Sequence, residues 1–163
     1  MNFFDPACQE SPITDIRFGL CDDKDGAAAY TDKTDESKWI AAVKNEQRMA
    51  IVFTAIDKGV IKDAEYPDRG RCDGMLASDS HLFFFELKNE RQGWIEKAIS
   101  QLESTIQFFN NTHAGKLDAY KHKKAFACNK KHPHFIDIDK EKVLYFFRTY
   151  RVRLDVQAEI KFK

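Results

Sequence analysis

The chain reads as an α/β protein with a mixed central sheet flanked by helices, and three observations lead there. Short apolar runs bounded by turn residues mark strands. Two longer runs repeat their apolar residues at helical spacing. One run, Leu82 to Lys88, starts apolar on both faces, as a strand covered on both sides does. The 163 residues fit a single domain, 1–163. Hydrophobic residues at 43% and charged residues at 32% exclude a disordered or fibrous chain, and 14 Phe supply bulk for a packed interior.

The elements follow in order. Residues 12–31 predict a hairpin: Ile13, Ile16, Phe18 and Leu20, a turn over Asp22–Gly26, then Ala27–Tyr30. Asp23-Lys24-Asp25-Gly26 resembles a fragment of a calcium loop, but it lacks the later ligands and the closing Glu, so a turn is expected. Residues 36–58 predict a long helix carrying Trp39, Ala42, Val43, Ala50 and Phe53 on one stripe, ended by Gly59. Strands are expected at 71–77 and 82–88, and a helix at 93–109 with Trp94, Ala98, Leu102, Ile106 and Phe109 inward. Further strands are expected at 124–129 and 143–156.

Charge is neutral in total, with 26 basic and 26 acidic residues, but uneven along the chain. Residues 1–40 are net −5, residues 41–112 net −2 and residues 113–153 net +7. The basic portion holds Lys116, Lys121, Lys123, Lys124, Lys130 and Lys131, interleaved with aromatics such as Phe126. Such a segment suits phosphates, or is simply a solvated surface. No run of about 18 apolar residues is present, so no membrane span is expected. The start of the chain lacks a basic segment and an apolar run, so no signal peptide is expected either. Cys8, Cys21, Cys72 and Cys128 therefore read as reduced thiols of a cytoplasmic protein.

The most informative stretch is RCDGMLASDSHLFFFELKNE. Along 82–88, Leu82, Phe84, Glu86 and Lys88 share one face. A turn over Ser78–His81 pairs residues whose numbers sum to 159, which sets Asp73 opposite Glu86. Two facing carboxylates repel unless a cation lies between them, and hard oxygen ligands suit Mg²⁺ or Mn²⁺. The Leu87 carbonyl offers a further oxygen. Glu46 falls inside the apolar stripe of the first expected helix, and Gln101 lies close to the buried side of the second. A salt bridge between Glu86 and Lys88 at a strand end is the plainer alternative.

The order of an inward Glu on a helix, a strand with Asp, a strand with Glu-x-Lys and a helix with Gln resembles the PD-(D/E)XK nuclease superfamily. The motif here is Asp73, Glu86 and Lys88, within about residues 36–130, and Asp73 follows Cys72 rather than Pro. The resemblance implies a restriction-endonuclease-like three-layer core, with the N-terminal hairpin and the C-terminal strands as additions. It implies a metal-dependent nuclease acting on nucleic acid, expected to be DNA. Asp73, Glu86, Glu46 and the Leu87 carbonyl would hold Mg²⁺ or Mn²⁺. Lys88 would serve the attacking water and Gln101 would orient its neighbours. Lys116, Lys121, Lys123, Lys124, Lys130 and Lys131 would hold the phosphate backbone. Nucleases of this fold often pair, so a homodimer is one expected arrangement. The competing expectation is a nuclease-fold protein that binds nucleic acid or a protein without cutting, as an accessory or immunity-type module.

Overall fold

In the computed structural model, which describes residues 1–163, two mixed sheets and two helices form three layers. The strands are β1 (Arg17–Cys21), β2 (Tyr30–Asp32), β3 (Ala41–Lys44), β4 (Val52–Ala55), β5 (Gly74–Ala77), β6 (His81–Lys88), β7 (His122–Asn129), β8 (Arg153–Val156) and β9 (Glu159–Lys161). The helices are α1 (Ile95–Thr112) and α2 (Lys140–Tyr150). One sheet runs β4-β5-β6-β7-β8 and the other β2-β1-β3-β9. The first is antiparallel from β4 to β6 and parallel from β6 to β8, with α1 as the crossover between β6 and β7.

β6 is the centre of the molecule. Leu82 and Phe84 pack with Leu102, Ile106 and Phe109 of α1 in one apolar cluster. Phe83, Phe85 and Leu87 pack with Phe18, Leu20, Val43 and Ile160 of the other sheet in a second cluster. The strand is thus buried on both faces, as its composition demands. The covering layer on the second face is a sheet, however, where the sequence predicts helices on both sides.

That difference traces to residues 36–58, which form no helix. A short 3₁₀ turn at Glu36–Lys38 leads into β3, and β4 follows after a turn. The apolar positions there satisfy two periods at once. Ala41 and Val43 alternate inward at period two, as do Ile51 and Phe53. The helical reading links positions on either side of the turn. The turn itself is made by Asn45, whose side chain donates to the Met49 carbonyl at 2.8 Å and accepts from the Met49 N–H at 2.9 Å. Arg48 there takes a positive φ of 50°. A side chain that satisfies the backbone locally competes with helix, and β-branched Val43, Ile51, Val52 and Thr54 suit a pleated surface.

The second correction is 143–156. Lys140–Tyr150 is helix α2, and only Arg153–Val156 is strand. Asp139 caps the helix by accepting from the Glu141 N–H at 3.0 Å, and Arg151 closes it in the left-handed region. The other expected elements are present with shifted ends: the 12–31 hairpin narrows to β1 and β2, with Ile13 bridging Ile51 instead, the strand expected at 71–77 begins at Gly74, and β9 is an additional strand. The N-terminal hairpin pairs Cys21 with Tyr30, and the hairpin of β5 and β6 pairs Gly74 with Phe85. All four cysteines are free thiols. No helix is long and apolar enough to cross a membrane.

Candidate active site

The β5–β6 register sums to 159, so Asp73, one residue before β5, falls across from Glu86. Both side chains are buried, at 6% and 3% exposure. The Asp73 carboxylate accepts from the Leu87 N–H at 2.7 Å and faces the Glu86 carboxyl across the strand pair. Glu86 shares the face of Leu82 and Phe84, toward α1, and Lys88 follows it there with Nζ 3.6 Å from Glu86 Oε1.

The segment that delivers Asp73 is held firmly. Buried Arg71 donates to Asp57 Oδ1 at 2.8 Å and to the carbonyls of Tyr66 at 2.8 Å and Arg69 at 3.2 Å, and it also pairs with Asp63. The Cys72 N–H donates to Thr105 Oγ1 of α1 at 2.7 Å. Gly74 has no room for a larger residue, because a Cβ there would meet the Phe85 ring at 2.3 Å.

Burial pushes the Glu86 carboxyl well above its ordinary range, and the Asp73 charge beside it adds to this. Burial also raises Asp73, while hydrogen bonds from Glu86 and from the Leu87 N–H oppose the rise. Without a cation the raised values let the pair keep one proton between its two carboxyls. Glu86 Oε2 is buried with no hydrogen-bond partner, and so is Gln101 Oε1. Orphan buried acceptors are costly and invite a donor or a cation.

The sequence does not point to Asp22 and Lys24, at the tip of the hairpin joining β1 to β2. Lys24 Nζ donates to the Leu87 carbonyl at 2.7 Å and to Asp22 Oδ2 at 3.1 Å. Its charge lowers the pKa of both buried carboxyls, and that of Asp22 raises Asp73. The available signal is the acidic turn Asp22-Asp23-Lys24-Asp25, whose composition predicts a turn and nothing more.

The other expected residues separate into two groups. Gln101 lies one turn before Thr105 on α1, and Thr105 Oγ1 donates to the Gln101 carbonyl at 3.0 Å. It therefore stands beside the segment leading into Asp73, close to Gly70. Glu46 is not brought to the pair. It is exposed in the turn after β3, near Lys44, Lys161 and Phe162. No group of three or more His, Cys, Asp or Glu side chains has the geometry to hold a metal ion.

The lysines divide likewise. The Lys130 N–H donates to the Lys88 carbonyl at 2.9 Å, and its ammonium reaches the Ser37 carbonyl. Lys131 follows it at the same end of the sheet. Lys123 pairs with Leu82 and Lys124 with Phe83. At about 3.3 Å per residue, Lys123 lies roughly 13 Å along the strands from Glu86. Lys121 lies beyond it, and Lys116 lies in the turn before β7 with its ammonium 5.4 Å from the Phe4 ring centre. The basic segment thus does not act as one surface around Glu86.

Comparison with known proteins finds no matching family model, no matching curated protein and no matching solved structure.

Proposed function

We propose that this protein is a metal-dependent nuclease of the PD-(D/E)XK kind, hydrolysing phosphodiester bonds of nucleic acid, with DNA as the expected substrate. The carrying observation is the meeting of two buried carboxyls, Asp73 and Glu86, across one strand pair, with Lys88 on the same face and a Glu86 oxygen left unpartnered. The succession β4-β5-β6-α1-β7 keeps the strand with Asp, the strand with Glu-x-Lys and the helix with Gln in the order that the resemblance rests on. The preceding helix with an inward Glu is replaced by β3 and β4.

The donor set suits a hard divalent ion: two carboxyls and the Leu87 carbonyl, all oxygen. Mg²⁺ or Mn²⁺ held there supplies a polarised phosphodiester oxygen and a water of lowered pKa. Asp73 and Glu86 would hold the ion, their shared proton going to solvent as it binds. Lys88 orients the attacking water and offsets negative charge that grows on the phosphoryl oxygens. Gln101 acts on the backbone entering Asp73, and Lys130 and Lys131 meet phosphates at this end of the sheet.

The decisive test incubates labelled single-stranded, duplex and branched DNA with the protein in Mg²⁺, Mn²⁺ or EDTA. Metal-dependent cleavage is expected, and it should vanish in Asp73→Ala and in Lys88→Ala. Cleavage that persists in both variants places the chemistry elsewhere.

One observation favours a nuclease-fold binder that does not cut. The Lys24 ammonium already satisfies the Leu87 carbonyl, a place where an ion would bind. Under that reading Mg²⁺ leaves the melting temperature unchanged, whereas a resident ion raises it.

A further inference from the structure

The far end of the five-stranded sheet carries a feature that the carboxyl pair does not use. Where β7 and β8 begin, a groove of about 450 Å³ is lined by Lys121, Lys123, Lys124, Arg151, Arg153 and Phe147. A second cavity of about 390 Å³ shares Lys124 and Arg153 with it and extends to Lys161 and Lys163. Seven Lys and Arg side chains line the two; Glu159 is the one carboxylate side chain in the lining, and Asp155 pairs with Lys124 from beside it at 3.5 Å. Glu159 is already bound to Lys44 and Lys161, at 2.9 and 3.6 Å. Lys121, Lys123, Arg151, Arg153 and Lys163 have no acidic partner.

The chain as a whole is neutral, so this concentration is local. Unpaired like charges crowded in a groove repel one another and attract a polyanion. Lys121 and Lys123 stand two residues apart, about 6.6 Å along the chain. Phe147, 47% exposed, stands at the groove with the Arg151 guanidinium 5.6 Å from its ring centre. An exposed aromatic beside a track of cations is the arrangement on which unpaired bases stack while the phosphates are neutralised.

We propose that this groove binds the phosphate backbone of a single-stranded nucleic acid, at a site separate from Asp73 and Glu86. The inference does not depend on cleavage. Single-strand binding releases counterions at roughly 0.7 per neutralised phosphate, so seven cations cap the salt slope near −5.

The test is fluorescence anisotropy of fluorescein-labelled oligothymidylate with the full chain in EDTA, across a salt titration. Wild type should bind with a steep salt slope. The double variant Lys121→Glu/Arg153→Glu should bind at least tenfold more weakly, with the slope flattened by about 1.4. Both residues are exposed, so the fold should survive, and circular dichroism checks this. Phe147→Ala should weaken binding with the slope unchanged. Lys97→Glu, on exposed α1 surface, should bind as wild type. Equal weakening by Lys97→Glu overturns the proposal, as does wild-type binding by the double variant. Preference for duplex over the oligonucleotide, or capture only by vesicles of phosphatidylcholine and phosphatidylserine, overturns it as well.

Discussion

Replacing Glu86 with Gln changes the carboxyl pair without changing its shape. In the native chain, burial holds the Glu86 pKa well above its ordinary value, and Asp73 is raised by burial too. A carboxyl whose pKa is raised by folding binds more protons folded than unfolded. Stability is then full below the unfolded pKa and declines as pH rises toward the folded value. Each unit of such a rise removes about 1.4 kcal/mol above the window. The amide introduced by Glu86→Gln keeps a donor toward Asp73 and carries no charge to lose. In EDTA at pH 8, Glu86→Gln should therefore be the more stable protein, by about 1.4 kcal/mol for each unit by which folding raises the carboxyl, read at roughly 2–4 °C in melting temperature per kcal/mol. At pH 5 the difference should shrink, because the native pair then retains its proton. Thermal melts read by circular dichroism at the two pH values measure both quantities. Adding Mg²⁺ at pH 8 should raise the native melting temperature and leave that of the variant nearly unmoved. A difference between native and variant that is the same at pH 5 and pH 8 refutes the shared-proton arrangement.

Lys24→Met frees the Leu87 carbonyl, so a melting-temperature titration with Mg²⁺ should reach half-saturation at lower metal than in the native chain. Glu46→Ala, at an exposed turn, should change stability by no more than about 0.5 kcal/mol and leave metal response and cleavage intact. Arg71→Met should destabilise by about 1–3 kcal/mol in urea melts, because the hydrogen bonds by which the buried guanidinium ties Asp57 and the carbonyls of Tyr66 and Arg69 to the segment entering Asp73 are lost. Gly74→Ala should cost about 1–3 kcal/mol, because the Phe85 ring must move to admit the methyl.

The Lys24 contact bears on both readings of the site. An ammonium on the Leu87 carbonyl offsets part of the charge of Asp73 and Glu86, as a metal would. It is nearly half exposed, and it hangs from a turn with Lys24 and Gly26 at positive φ. Displacing it costs little burial, whereas displacing Asp73 would leave the buried Leu87 N–H without its acceptor.

The sequence by itself determined the β5–β6 hairpin, its register, the buried β6 and helix α1. Those elements are local: a four-residue polar turn sets the pairing sum, and side-chain alternation then fixes which residues share a face. The meeting of Asp73 with Glu86 was legible for the same reason. Only the tertiary structure decided the rest. The stripe through Trp39, Val43 and Phe53 fits two periods, and the choice fell to strands because a second sheet was there to be covered. That choice removed Glu46 from the interior. Lys24 meets Leu87 across 63 positions of sequence, and Lys121 shares a groove with Arg153 although 32 residues separate them. Contacts of that range leave no trace in local spacing, because they arise where separately formed layers come to rest on one another.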